Sequence, residues 1–385
     1  MKSDFKYDLL IIGGGISACV FASKYLQNDI TKKVGLIEVG RGLGGRSSTR
    51  FSKRFKGWKL NHGAPNLNIS NSENNHLLKS YIDELLDSKF IKIDDSEFVS
   101  LGGESNVESI KKSEFSCGIN YISLSSMGQL SQKIIEFNNL NEKIDFYFET
   151  LVLDLKFNND EWTLRCKNGD IFKSKYLICS TNLLSHRRSL KILNTNQIPL
   201  RKAIPINKDK KIDLLLNFLD KQSFIPRLTF LIYTNENYSY KDCYSKKQRF
   251  FYLEKNLQNK YKFERVVFQL QDNNKLGIVI HSKNIDFINS YINSKDEDFF
   301  KQEIVTNFNE LFEGNSLVNQ LTFNEQISIM KWRASQPSKC AVPLSLQFSR
   351  KHKIGFCGDW FAGEGFGRIE GAILSALTLV KKIKT

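Results

Sequence analysis

Nowhere in the 385 residues does a window approach the roughly 18 consecutive apolar residues that a spanning helix needs, so no integral membrane segment is expected. The seven cysteines (Cys19, Cys117, Cys166, Cys179, Cys243, Cys340 and Cys357) form an odd set without a C-x-x-C pair. That fits reduced thiols in the cytoplasm, most of them small core residues. Zinc-finger spacing is missing, as are an obvious acid–base dyad and any metal-ligating cluster, so no metal is expected. Internal repeats and low-complexity tracts are absent too. The formal charge is +15, yet there is no run of five or more like charges and no repeated aromatic-basic pattern. Scattered lysines of this kind read as solvated faces, and as a field steering a phosphate-bearing small substrate, with no nucleic-acid partner.

What is present is concentrated first between Tyr7 and Arg50. Asp8 to Ile12 is a short apolar run, as expected for a strand buried on both faces. Lysines precede it, but three glycines interrupt it at once, so it reads as a first strand and not a signal peptide. Gly13, Gly15 and Ala18 then fit G-x-G-x-x-G/A: the first glycine makes the tight turn, the second lets the backbone approach a pyrophosphate, and the small third residue lets helix and strand pack closely. Gly14, Ile16 and Ser17 complete that turn, and Ile16 to Gln27 can form the helix whose N–H groups and positive dipole end face the phosphates. Val34 to Val39 reads as the second strand. Glu38 near its end lies where a carboxylate accepts both hydroxyls of an adenosine ribose, about 20 residues after the turn. A second glycine turn follows, with Gly44 and Gly45 between Arg41 and Arg46. Its backbone N–H groups and flanking guanidiniums suit a diphosphate. Arg50, Lys53 and Arg54 read as a basic surface loop.

Strand, glycine turn, helix, acid and second glycine turn together resemble the flavoprotein amine-oxidase superfamily, in which that second turn holds FAD. Within it, R-G-x-G-G-R-x-x-T-R resembles the renalases. The resemblance implies an α/β protein: a Rossmann-like FAD-binding domain with an inserted α+β substrate domain, an architecture similar to amine oxidases and p-hydroxybenzoate hydroxylase. The FAD-binding domain is then discontinuous, 1–70, 118–185 and 345–385, and the substrate domain covers 71–117 and 186–344. Cys340 sits in SKCAVPL, which gives no support for a covalent flavin link, so non-covalent FAD is expected.

The same resemblance assigns several later residues. Asn61-His62-Gly63-Ala64-Pro65 is similar to a segment beside the flavin, with Asn61 in place of an acid and Pro65 and Asn66 in place of Gln and Tyr. It makes Gly63 and Ala64 cofactor contacts and His62 a flavin or substrate contact. Val152 is the candidate for a backbone contact to adenine. Gly358-Asp359 follows a last parallel strand and would touch the ribityl and pyrophosphate groups. Arg368-x-Glu370-Gly371-Ala372 opens the final helix, where N–H groups from Ile369 onward would stabilise negative charge at the flavin N1–C2=O edge. His281, at a strand end, is the first candidate for substrate contact. Trp332 would wall the pocket, Arg333 would meet a carboxamide or phosphate, and Ala334 stands where a tyrosine is usual.

Elsewhere the pattern predicts an amphipathic helix over 73–90, a helix from Gln129, and a four-strand meander over 145–181 whose last strand returns to the central sheet. Polar stretches near 207–211 and 234–248 read as loops. Strands are expected at Arg227–Tyr233, Arg265–Gln271 and Leu276–His281, then one long helix over 286–312. The function implied is oxidation of 2- and 6-dihydro forms of NAD(P)H, or of another reduced small molecule, by hydride transfer to flavin N5 with O2 as acceptor. An amine oxidase or carotenoid-type desaturase on the same scaffold, and a non-catalytic binding protein like the GDP-dissociation inhibitors, remain as alternatives.

Overall fold

The computed structural model describes residues 4–52, 57–70, 75–102, 108–109, 118–234, 248–271, 276–294, 296–313, 320–322 and 326–384. Its first sheet grows from the apolar runs. Asp4–Ile12 lies between Val34–Ile37 and Ile171–Cys179, parallel to both, with Leu9 opposite Val34 and Leu10 opposite Leu177. Both faces are covered, which is why consecutive residues are apolar. Leu9 and Ile11 enter one core, with helices Ile16–Leu26, His76–Asp87, Met127–Glu136 and Ile369–Lys384. Leu10 and Ile12 enter the core on the other face.

Ile171–Cys179 does two jobs along its length. Its first half pairs antiparallel with Glu161–Cys166, which in turn pairs with Val152–Asn158. Its second half pairs parallel with Ile354–Phe356. The meander therefore has three strands, and the first strand expected for it, near 146–150, belongs elsewhere. Ile144–Tyr147 adds parallel to the outer edge of Val34–Ile37, because its register continues that sheet and Glu38 donates its N–H to the Tyr147 carbonyl at 2.9 Å.

The second sheet runs in the order Gln326–Ser338, Ser223–Tyr233, Leu276–Ser282, Arg265–Leu270, Gln248–Leu253, Glu97–Leu101, Glu108–Ser109. One face packs on helices Ile285–Asn293 and Glu297–Leu311 through Phe230, Phe268, Phe300 and Phe308. These two helices replace the single one expected over 286–312. The break falls where Asp296 caps a new start, accepting the Phe299 N–H at 2.9 Å. The other face meets the hairpin Thr49–Phe51 and Lys59–Asn61, which belongs to the glycine-turn region. Asn61 and Gln269 exchange two hydrogen bonds, of 2.8 and 2.9 Å. Leu60 packs so closely on Gly277 that no Cβ fits there.

Two segments expected with the second sheet pack on the first. Helix His76–Asp87 contributes Leu78, Tyr81, Ile82 and Leu85 to the first core. On the opposite face lies helix Lys210–Lys221, whose start falls in a stretch expected to be loop. Asp209 caps it, accepting from Lys211 and Ile212 N–H, and Ile212, Leu215, Leu216 and Leu219 form its buried stripe. Lys53 and Arg54, and nearly all of the stretch 234–248, lie outside the described residues.

Candidate functional site

A cavity of about 570 Å³ opens at the carboxyl ends of the parallel strands and extends to the second sheet. That crevice is the usual ligand position in open α/β sheets. Gly13 donates to the Ile37 carbonyl at 2.8 Å and has φ +99°, and a Cβ there would lie 2.6 Å from Ser180 Oγ. At Gly15 a Cβ would meet nothing within 4 Å. Gly15 is also the N-cap of helix Ile16–Leu26, with no side-chain cap and no acid in the first turn. The first helical N–H groups have no intrahelical acceptors, so an anion at this position meets donors. Gly14, Ile16 and Ser17 line the cavity, while Ala18 is fully buried in the core behind it, in the packing role expected of the third small residue.

The second glycine turn meets the first directly. Gly44 donates to the Gly14 carbonyl at 2.9 Å, and a Cβ on Gly45 (φ +52°) would lie 3.1 Å from Gly15 Cα. Glu38 ties the turns together, accepting from Gly14 N–H at 2.5 Å and Gly40 N–H at 2.6 Å. Val39 and Val152 line the cavity beside it. Arg46 reaches across to Asp359 in a two-pronged ion pair of 2.7 and 2.6 Å. Its carbonyl accepts the Ala64 N–H at 3.0 Å, so close to Gly63 that a Cβ on that residue would collide with it. Arg368 holds Asn68 at 2.6 Å and Glu370 at 2.7 Å, and beside it Ile369 opens the last helix into the cavity.

Three expected site residues are placed elsewhere. The Arg41 side chain is 90% exposed, 3.6 Å from Glu149, because the turn points it into solvent. Gly358 does not line the cavity: Ser375 Oγ accepts its N–H at 2.8 Å and donates to its carbonyl at 2.9 Å, tying it to the last helix. Arg333 is exposed, and among the described residues the cavity lining takes its neighbours Trp332 and Ala334 but not Arg333. Successive residues of a strand face opposite ways, so placing Trp332 inward turns Arg333 outward.

The far end of the cavity is built by the second sheet. His62 stacks on Trp332, ring centroids 5.2 Å apart at 27°. Burial, then the Arg50 charge, pushes the His62 pKa down to about 4. His281 is 2% exposed and its Nδ1 accepts from Arg265 Nε at 3.0 Å, which assigns the proton to Nε2. Burial and the Arg265 charge hold its pKa well below the ordinary histidine value. Opposite it in register stands Thr229, 1% exposed. His281 Nε2, Thr229 Oγ1, Trp332 Nε1 and His62 Nδ1 are all buried without a hydrogen-bond partner. Behind them Arg227 binds Glu264 through two bonds, of 2.7 and 3.0 Å, and reaches Ser335 and Gln336 at 3.1 Å. Burial raises the Glu264 pKa, but the charge and hydrogen bonds of Arg227, with Arg265 and Lys283, outweigh it and hold the carboxyl well below its usual range.

Sequence reading missed Arg188, Arg227, Thr229 and Arg265, all of which line the cavity. Arg227 and Arg265 open strands that the sequence does show, so an available signal was their position on the strand face shared with Thr229 and His281. Among the described residues no group of three or more His, Cys, Asp and Glu could hold a metal ion.

Residues 11–85 match the family model of NAD(P)-binding Rossmann-like domains. No curated protein matches the chain. Among solved structures, putrescine oxidase bound to putrescine aligns with a TM-score of 0.64 at 12% identity, covering 99% of this chain and 100% of that one. A protein assigned as a protoporphyrinogen oxidase from Exiguobacterium sp. 255-15 aligns with a TM-score of 0.65 at 12% identity, covering 100% and 99%. The chain thus has a mixed α/β fold with a Rossmann-like unit, the fold of these proteins over its whole length.

Proposed function

We propose that the chain is an FAD-dependent oxidoreductase that oxidises 2- and 6-dihydro isomers of NAD(P)H to NAD(P)+, with dioxygen as acceptor and hydrogen peroxide as second product. The residues fit FAD on structural grounds. Gly15 leaves open space at an uncapped helix start, and Glu38 presents a carboxylate fixed by two backbone donors. The Gly13–Ser17 and Gly44–Gly45 turns would hold the diphosphate, Glu38 the adenosine ribose and Val152 the adenine. Asp359 would take ribityl hydroxyls, and the helix start at Ile369 would face the ring. When bound, FAD supplies a two-electron acceptor for hydride and a donor to dioxygen.

The character of the far lining carries the choice of reactant. Among the described residues the only acids of the whole cavity are Glu38, at the glycine turns, and Asp359, each already bonded, whereas Arg188, Arg227 and Arg265 line it toward the second sheet and Glu264 behind them offsets only the Arg227 charge. A diamine such as putrescine, bound by one structural relative, would meet positive charge there. A dinucleotide would meet attraction. His281 Nε2–H, Trp332 Nε1–H and the Thr229 hydroxyl are unpartnered donors suited to a carboxamide oxygen. Both histidines are held neutral at pH 7, so they position and do not exchange protons. Hydride loss from a dihydropyridine ring moves no proton, so positioning and exclusion of water are what the site must supply.

Anaerobic mixing of the yellow holoprotein with 6-dihydroNAD, putrescine and a carotene, in separate runs, tests this. The expected result is bleaching of the flavin band by 6-dihydroNAD alone, within one turnover. Flavin left oxidised by 6-dihydroNAD removes the reactant assignment. Purified protein that is colourless and takes up no FAD removes the flavoprotein assignment and leaves a binding module.

A further inference from the structure

Every other arginine of the cavity has a polar partner that accounts for its place. Arg46 binds Asp359, Arg227 binds Glu264, Arg368 binds Glu370, and Arg265 holds His281. Arg188 is different. It lines the cavity from helix Arg188–Ile192, and among the described residues it makes no ion pair. One Nη donates to Asn182 Oδ1 at 2.9 Å, and the guanidinium carbon lies 4.0 Å from the centre of the Phe224 ring. Its Nε is buried with no partner at all. Burial, together with the Arg46 charge, lowers its pKa to about 10.

A desolvated cation without a counter-charge is costly, and stacking on one aromatic ring offsets only part of that cost. Such a residue is stable in place but poorly satisfied, and an anion is what completes it. The planar fork, lying over the Phe224 ring and steadied by Asn182, is placed for a two-pronged bond to phosphate or carboxylate oxygens.

We propose that Arg188 is the anion-recognition residue of the cavity and takes a phosphate of the reactant dinucleotide. This deepens the reading above and rests on it for the reactant's identity; the chemistry recognised, a phosphate group, is shared with the diphosphate of FAD. The experiment separates the two sources. FAD-saturated protein, whose adenosine site is filled, is titrated with ADP by calorimetry in the parent, Arg188→Gln, Arg188→Lys and Arg187→Gln forms. Arg187 is exposed and sits 3.8 Å from Asp220, so it controls for charge alone.

Loss of a charge-assisted fork corresponds to at least roughly tenfold weaker ADP binding in Arg188→Gln. Arg188→Lys, which keeps the charge but not the fork, should fall between that variant and the parent. Arg187→Gln should match the parent, and flavin content should be equal in all four. In turnover, the KM for 6-dihydroNAD should rise while that for phosphate-free 1-methyl-1,6-dihydronicotinamide stays constant. Unchanged ADP affinity in Arg188→Gln, or no ADP binding by the parent, overturns the proposal. Loss of FAD from Arg188→Gln with ADP affinity intact also overturns it, by assigning the residue to the cofactor. If 6-dihydroNAD is not oxidised yet ADP binding still depends on Arg188, the proposed reaction falls and the anion site stands.

Discussion

Replacing Gly15 by alanine separates the cofactor site from the fold. Gly15 has φ −74° and ψ 174°, a conformation alanine adopts without strain, and the added methyl would meet no protein atom within 4 Å. Alanine is a poorer N-cap than glycine by about 0.5–1 kcal/mol. It also restricts the unfolded chain, which returns about 0.4–1 kcal/mol. The two offset one another, and the apoprotein should keep its stability to within about 0.5 kcal/mol. The methyl instead occupies the space through which a diphosphate approaches the helix N–H groups. Hydrogen bonds to charged acceptors contribute about 1.5–3 kcal/mol each. Losing two of them weakens FAD by about 3 kcal/mol or more, a factor of at least roughly 100. Thermal unfolding of the apoprotein and a fluorescence titration with FAD measure the two quantities. A Gly15→Ala variant that binds FAD as the parent does, or an apoprotein that loses more than about 1 kcal/mol, refutes the placement of the diphosphate.

The opposite behaviour is expected at Gly63, where a Cβ runs into the Arg46 carbonyl and the Ala64 hydrogen bond to that oxygen is 3.0 Å long. Gly63→Ala should cost about 2–4 kcal/mol in urea unfolding of the apoprotein, and a variant as stable as the parent would show that the turn can shift freely. Arg41→Ala should leave FAD affinity unaltered, since that side chain points into solvent beside Glu149; a drop of tenfold or more would return Arg41 to the cofactor site. For pH, the unfolded chain takes up a proton on His62 below about 6.5, which the folded protein refuses until about 4. Stability is therefore lost as pH falls through that window, by at most about 1.4 kcal/mol per unit from this group. His62→Gln should flatten the dependence between pH 6.5 and 4.5, and an unchanged slope in urea unfolding would mean that His62 titrates normally.

Sequence reading located the first sheet well because a parallel strand buried on both faces must be apolar throughout, and Leu9, Leu10 and Ile11 are all fully buried. It failed where one local signal served two structures. Ile144–Tyr147 has the length and composition of a meander strand, and only its register with Val34–Ile37 shows that it extends the parallel sheet. Polar residues 207–211 contain the cap of a helix, and Asp209 looks like a loop residue until its two accepted N–H bonds are seen. Asp296 conceals a helix start within a longer apolar repeat in the same way.

The two ends of the cavity differ in legibility for a physical reason. At the glycine turns the work is done by main chain, and main chain can come so close only where side chains are missing; Gly13, Gly15, Gly44 and Gly45 are therefore visible as letters. At the far end the work is done by side chains whose orientation depends on which sheet face is inward. Arg333 and Trp332 are adjacent in sequence and opposite in space. Arg227, Thr229, Arg265 and His281 come from three strands and become a group only through the registers that set Thr229 and Arg265 on either side of His281. Arg188 is harder still, since its own letter does not mark it apart from Arg187, and contacts made in the fold, with Phe224 of the second sheet and with Asn182, fix which of the two guanidiniums is held at the cavity. A site residue is readable from sequence when its role limits what the residue may be, and unreadable when its role depends on what packs against it.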